Sequence, residues 1–499
     1  MKHNDGLYLL IDSLTSTEKR FFRLFAKRNN TGETNDCLFL FDAINNQVQE
    51  GEYNEEKLIH YLKEKKRKIH LRNAKNYLHG LILRSMRQVS DEENVTRQLQ
   101  ARIADINFLI DKGLISKAGE LLRKARKTAH LYEKFIYELQ LIGIERKIVR
   151  LSQDKLTGKR MKEFELHEKQ LLKQIRMESG MRILYDRVYV LIRSGLVPEK
   201  QKASARKLAV HSQFKEKRSN TFSIETLRLL SLSDLALLSG DDKRSRALIR
   251  LIINLYDRNP HQFRDEPLRY INILNNYLNA CFRLQRFDEF PGIIRRIEQL
   301  EGLSKTVRFE IFKNATFLKL LFLMNTKQFS EALRIVPEIE LGLKVFDKKL
   351  PIARKLSFCY NVMILFFFSE KFQDALRWAN KLLEREHQDV RRDLQHATSL
   401  FSLIILFERG HHDLLENKLR NTARHLRKTG EYNVFEQFIL TLLGNLLTAS
   451  TLHKRKIVFR EGVEFIENQP ADFKKKQLCD EILVWMKASI SGQKPADLL

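Results

Sequence analysis

Residues 370–384 read EKFQDALRWANKLLE. Phe372 stands three residues before Ala375, Leu376 follows, and apolar positions continue at helical spacing. Upstream, KQFSEALRIVPEIEL (327–341) and QRFDEFPGIIRRIEQL (285–300) carry the same arrangement. Phe287, Phe329 and Phe372 therefore head one pattern, at intervals of 42 and 43 residues. Stepping back by that period reaches Arg244 with Ala247, then Lys202 with Ala205 and, two periods further, Ile115 with Ala118. Stepping forward reaches His412 with Leu415, then Lys454 with Ile457.

Another apolar helix precedes each of these: EPLRYINILNNYLNACFRLQ (266–285), RFEIFKNATFLKLLFLMN (308–325) and ARKLSFCYNVMILFFFS (353–369) are examples. Short turns such as SGDD, LQR, NTK, SEK and ERGHH join the pairs. A helix A, a turn and a helix B at fixed period are the mark of an α-solenoid, because one hairpin cannot bury its apolar stripe alone and stacked neighbours can. The small residue in each helix B lets it approach helix A closely, and Phe372 and its equivalents are expected to fill the gap between adjacent units. The sequence thus predicts an all-α fold: a right-handed superhelical array of antiparallel helix pairs over 93–490, an N-terminal helical domain or cap over 1–92, and a tail over 491–499.

The F-x-x-A-L pattern at 329–333 and 372–376 resembles the second-helix pattern of tetratricopeptide repeats. The likeness extends over about four-fifths of the chain and is specific in 242–384. It departs from the family in its period, which is 42–43 rather than 34, in lacking the Trp-Leu-Gly-Tyr set of helix A, and in lacking the proline after helix B. HEAT-type or other helical-hairpin arrays stay open as alternatives. The resemblance implies protein or peptide binding in a concave groove and no catalysis. The first residues are similar to the opening of uncharacterised bacterial helical-repeat proteins, which implies no function.

Composition agrees with a helical chain. Only 19 glycines and 8 prolines occur in 499 residues, less than half the usual share. The four cysteines, Cys37, Cys281, Cys359 and Cys479, lie far apart, with no CxxC or zinc-ligand spacing, as expected of free buried thiols in a reducing compartment. The longest apolar runs, 362–368 and 403–407, are far shorter than the roughly 18 residues that span a bilayer. With no signal peptide at the start, the expectation is a cytoplasmic protein without a membrane partner.

Net charge is +27, and about half of the excess falls in residues 101–220, with 28 basic against 14 acidic side chains. Such a surface favours anionic partners through counterion release. In the N-terminal block Thr15 and Glu18 form a capping box ahead of a helix carrying Phe21, Phe22, Leu24 and Phe25. Further helices are expected near 36–47, after Asn54 and over about 70–88. The block also holds KEKKRK at 63–68. On the last of these helices Leu71, Ala74, Leu78, Leu81 and Ile82 share an apolar face, which turns Arg72, Asn73, Lys75, Asn76 and His79 outward. Lys63, Lys65, Lys66, Arg67, Lys68, Arg72, Lys75 and His79 are the candidate polyanion contacts, since Arg, Asn and Lys on a helix can read base edges. The plain reading of the same residues is a solvated basic face. A second basic zone covers 119–130, 155–162 and 202–218, with only Phe214 as an aromatic among it, a poor match to a single-strand stacking platform.

No phosphate-binding, nucleophile-elbow or metalloprotease motif occurs. His387 and His396, with Asp389 and Asp393 between them, are the nearest approach to a metal set and read better as exposed polar residues. Glu163, Glu165 and Glu168 read as a salt-laced helix face. No cofactor, metal or small-molecule substrate is expected. On helix A, Asn276 and Asn361 each stand eleven residues before a heading phenylalanine. The family resemblance implies that such asparagines grip a peptide backbone, since an amide both donates and accepts. Arg269, Arg283 and Arg354 are placed to meet acidic groups of such a ligand. The expected function is a non-enzymatic scaffold or adaptor for a protein or extended peptide, with a nucleic-acid-associated regulator as the alternative.

Overall fold

The computed structural model describes residues 6–28, 32–50, 53–65, 70–90, 94–151, 158–194, 197–215, 221–300, 305–383, 390–429, 432–474 and 478–498, and among them there is no strand. Chain contacts divide these into two units, one of residues 1–186 with 216–227 and 259–265, the other of 187–215, 228–258 and 266–499.

In the first unit, α1 (Gly6–Ser13), α2 (Ser16–Arg28), α3 (Gly32–Glu50), α4 (Glu55–Glu64) and α5 (Leu71–Ser90) enclose a core of their own. The capping box forms at the start of α2: Thr15 N donates to Glu18 Oε2 at 2.6 Å, and Glu18 N to Thr15 Oγ1 at 3.1 Å. Phe22 is buried in that core, while Leu24 turns outward. Asn54 caps α4 by accepting from Lys57 N at 2.9 Å.

Next come α6 (Val95–Asp111), α7 (Ile115–Leu131), α8 (Phe135–Leu151) and α9 (Gly158–Arg193). Here the expected period breaks. Residues 158–193 form one helix of 36 residues rather than a hairpin, for its Glu-, Lys- and Leu-rich sequence contains no breaker but Gly180. The α7–α8 turn is an anchor. Glu133 accepts from Phe222 N and Ser223 N, both at 2.8 Å, and Lys134 pairs at 2.7 Å with buried Asp265, which also accepts from Val95 N at 3.2 Å.

The second unit contains α10 (Pro198–Ala209), α11 (Ser212–Lys215), most of α12 (Phe222–Leu238) and α13 (Asp242–Arg258). After α14 (His261–Asp265), which belongs to the first unit, it continues with α15 (Pro267–Arg283), α16 (Phe290–Glu298), α17 (Lys305–Glu310), a π-helical turn over Ile311–Thr316, α18 (Phe317–Asn325), α19 (Phe329–Arg334) and α20 (Val336–Val345). It ends with α21 (Ile352–Phe368), α22 (Phe372–Leu383), α23 (Arg392–Glu408), α24 (His412–Thr429), α25 (Val434–Thr448), α26 (Leu452–Glu467), α27 (Ala471–Lys474), α28 (Cys479–Ser491) and α29 (Pro495–Leu498). Helices pack as neighbouring pairs, which makes the fold an all-α helical array.

The repeat has a backbone signature. Six of the helix A–helix B junctions are three-residue turns whose middle residue is left-handed: Gly113, Gly240, Gln285, Lys327, Glu370 and Gly410 have φ between 53° and 82°. In each, that residue's N–H and the next one reach back to the last carbonyls of helix A, as Glu370 N does to Phe367 O and Lys371 N to Phe366 O, both at 2.9 Å. This is the Schellman arrangement, which satisfies the helix end and reverses the chain in a fixed geometry. Helix B then starts two residues after the left-handed one, at Ile115, Asp242, Phe329, Phe372 and His412, and at Phe287 as a 3-10 turn over Phe287–Glu289 that leads into α16.

That register confirms most of the heading residues and corrects two. Ala118, Ala205, Ala332, Ala375 and Leu415 are fully buried. At the Arg244 position, however, the turn at Gly240 starts α13 at Asp242, so Ser245 takes the buried place and Ala247 is exposed. Likewise α26 starts at Leu452, capped by Thr451, which leaves Ile457 39% exposed; Gly462 is instead the small residue of close approach. In the 287 unit a ring, Phe290, fills the small-residue place and stacks on Phe322 of the following helix A at 4.9 Å. Two heading rings bridge units, Phe287 meeting Phe322 at 6.0 Å and Phe329 meeting Phe368 at 6.5 Å, whereas Phe372 meets Phe367 of its own helix A at 5.4 Å.

Candidate functional site

On α15, residues 270, 271, 273–275, 277, 278, 280 and 281 are buried. The uncovered face carries Leu268, Asn272, Asn276, Asn279 and Arg283, which recur at the three- and four-residue spacing of one helix side. The side chains of Asn272 and Asn276 have no hydrogen-bond partner among the described residues. Asn279 Nδ2 donates to Asn275 O at 2.9 Å, leaving its oxygen outward. Asn275, at the edge of the same face, is 3% exposed, and neither of its amide atoms has a partner. An amide buried in that state costs about 1–3 kcal/mol. Sequence reasoning singled out Asn276 and passed over Asn272, Asn275 and Asn279, although YINILNNYLNA places all four on one side or its edge.

Asn361 occupies the same register in α21 but is half-buried, and its Nδ2 donates to Ser357 O at 2.8 Å. The three arginines are engaged within the chain. Arg269 pairs with Glu266 at 3.0 Å, and Arg283 ties α15 to the first turn of α13 through Asp242 at 2.6 Å. Arg354 lies 4.4 Å from the centre of the Phe317 ring, and burial, with Arg391 nearby, lowers its guanidinium below the usual range.

In the N-terminal block, Lys66, Arg67 and Lys68 lie outside the described residues. Lys63, Lys65, Arg72, Asn73, Asn76 and His79 are exposed. Lys75 does not face outward as the helical wheel implied. Its ammonium donates to Glu55 Oε2 and Tyr53 Oη, both at 2.6 Å, and lies over the Tyr53 ring, so α5 uses it to hold the start of α4. The second basic zone is divided between the units. In the first, Arg123, Lys124 and Lys127 of α7 and Lys162, Lys173 and Arg176 of α9 are exposed and have no acidic partner among the described residues. In the second, Lys202 pairs with Glu199 at 3.1 Å, while Arg206 and Lys207 are exposed.

The groups that might do chemistry are tied into structural bonds. Arg126 Nη2 lies 3.0 Å from His167 Nδ1, and His167 Nε2 lies 3.0 Å from Glu138 Oε1. A guanidinium can only donate, so Nδ1 must accept and Nε2–H donates to Glu138. Arg126 also pairs with Glu145, joining α7, α8 and α9. His396 contacts Glu436 at 3.1 Å and Asp393 is held by Arg391, while His387 and Asp389 lie outside the described residues. Glu165 pairs with Lys169 at 2.5 Å and Glu168 with Arg146 at 2.9 Å, the salt-laced face expected there. Among the described residues no three His, Cys, Asp or Glu side chains converge on a metal-sized site, and no helix is long and apolar enough to cross a membrane. All four cysteines are free and buried.

No protein-family model matches the chain, nor does any curated protein or any solved structure.

Proposed function

We propose that this protein is a non-enzymatic scaffold that binds a protein or extended peptide along its helical-hairpin array, in the manner of tetratricopeptide-like repeats. The observation that carries the reading is the amide face of α15. Asn272 and Asn276 present unpartnered amides to solvent, beside an Asn275 whose buried amide lacks any partner. A peptide group offers one donor and one acceptor, the complement of each of these side chains. The guanidinium of Arg283 ties the face to the first turn of α13 through Asp242.

The test is partner capture by the full chain carrying Asn272→Ala and Asn276→Ala, with a photo-reactive residue at Leu268 in both that variant and the wild type. Both substituted side chains are exposed, so the fold should be unchanged by circular dichroism, while retention of a captured partner falls about tenfold or more. Equal capture by both proteins overturns the reading.

A second reading, polyanion binding by the first unit, is favoured by the unpaired basic residues of α7 and α9. It predicts tight binding of duplex DNA or single-stranded RNA that persists above heparin binding between about 50 and 200 mM salt. Weak binding of all three, fading together with salt, rejects it.

A further inference from the structure

The last helices do not simply extend the array. α28 lies against α26, with Met486 Sδ over Gly462, where an added Cβ would stand 2.8 Å from the sulfur. Trp485, 2% exposed, meets Phe459 and Phe407 edge-on, and its Nε1–H donates to Glu408 Oε1 at 2.7 Å. One turn earlier, Glu481 Oε1 accepts from Tyr360 of α21 at 3.4 Å. Beyond Gly492, Asp497 O accepts from Lys327 Nζ, in the α18–α19 turn, at 3.3 Å. From α26 the chain therefore runs back past α23 and α21 to the turn before α19.

Three features of this segment bear on how firmly it is seated. Leu478, which leads into α28, holds a φ of 75°, a left-handed backbone for a bulky side chain. Glu408 and Glu481 are taken out of water against one neutral donor each, and burial pushes both carboxyls up. The buried side chains Ile482, Trp485 and Met486 have the i, i+3, i+4 spacing of a helix laid into a groove.

We propose that the groove formed by α26 with Tyr360 of α21 and Phe407 and Glu408 of α23 is a docking site for an amphipathic helix, that residues 478–498 are its resident occupant, and that a partner helix with aliphatic, aromatic and thioether anchors at the same spacing displaces them. The chain's own helix, seated on the groove, specifies the chemistry of the occupant. Gly462 leaves room for the thioether, and the Glu408 carboxylate requires an N–H donor on the aromatic ring. This inference rests on the scaffold reading and adds the class of partner to it.

The experiment uses the full chain and needs no natural partner. Hydrogen exchange of the wild type compares amides of 479–491 with those of 394–407. A labelled synthetic peptide of sequence 478–498, with Cys479→Ser, is titrated against the wild type and against Trp485→Ala. A tethered helix competes at an effective concentration on the order of millimolar, so the peptide should bind Trp485→Ala about tenfold or more tightly than the wild type. The amides of α28 should exchange about tenfold or more faster than those of α23. Peptide binding to neither protein overturns the proposal. Should Trp485→Ala fail to fold, the exchange comparison decides, and α28 exchanging in step with α23 overturns it. A releasable α28 beside an Asn272→Ala, Asn276→Ala variant that captures normally removes the amide-face reading alone. A fixed α28 beside a variant that loses capture removes only this one.

Discussion

Asp234 lies in the run SLSDLALL of α12, and its carboxylate has neither a hydrogen bond nor an ion pair among the described residues. Burial alone pushes its carboxyl from 3.8 up to about 6. Between those values the folded chain holds a proton that the unfolded chain releases, so acid favours the fold. The sign follows: stability rises as pH falls from above 6 towards 3.8 and is lowest above 6. A difference of about two pH units corresponds to about 3 kcal/mol, and solvent reaching the half-buried side chain reduces this to about 1–2 kcal/mol at neutral pH. Asp234→Asn keeps the shape and removes the charge. It should raise the melting temperature at pH 7.5 by about 2–6 °C, and the gain should shrink towards zero only as the pH falls to about 4 and below. A chain of two units need not unfold in one step, so exchange of the α12 amides is followed alongside the melt. An advantage of equal size at both pH values, or a variant less stable than the wild type at pH 7.5, would refute the reasoning, because it would mean that the carboxylate has a stabilising partner in solution.

Two further tests follow from close packing and from buried acids. A Cβ at Gly342 would run into the Phe312 ring, so Gly342→Ala should destabilise by about 1–3 kcal/mol, whereas Gly444→Ala, with open space around it in α25, should stabilise by about 0.5–1 kcal/mol; urea unfolding checks both, and effects of the same sign reject the packing argument. Raised carboxyls at Glu408, which faces Trp485, Arg455 and Glu370, and at Glu481, which faces Tyr360 and Asp480, oppose the docking of α28 most when ionised. Lowering the pH into their raised range should therefore make α28 open less often, as hydrogen exchange corrected for intrinsic rates would show, and more frequent opening in acid contradicts this.

The helical-pair architecture was legible because its signal is local. A stripe of apolar side chains and a breaker-poor composition follow from the period of the helix itself, and Phe329, Ala332, Phe372 and Ala375 landed where that period put them. The failures mark where tertiary geometry decides. DDKRSRAL offers two small residues, and only the left-handed turn at Gly240 shows that Ser245, not Ala247, meets helix A. Lys75 looked solvated on a wheel, yet Tyr53 and Glu55, some 20 residues earlier, capture it. Nothing near residue 485 announces a bond to Glu408 or, from Glu481, to Tyr360, because those contacts cross 77 and 121 residues. The amide face was half legible: the asparagines are visible in the sequence, but which are open and which lack a partner depends on the helices beside them.

The turns explain why the array keeps its register without a fixed residue code. Gly113, Gly240 and Gly410 adopt the left-handed conformation at little cost, but Gln285, Lys327 and Glu370 adopt it at about 1–2 kcal/mol each. The same backbone appears whether or not glycine is present, so packing between neighbouring units imposes it and the local sequence merely tolerates it. Where this turn occurs it fixes where helix B begins and hence which side of helix A is left for other contacts. On α15 that side remains open and carries amides; on α21 and α23 the chain's own terminal helix covers it at Tyr360, Phe407 and Glu408. The open and covered faces are therefore two uses of one geometric device, and the exchange behaviour of α28 separates them, since a face that serves only as core has no reason to open.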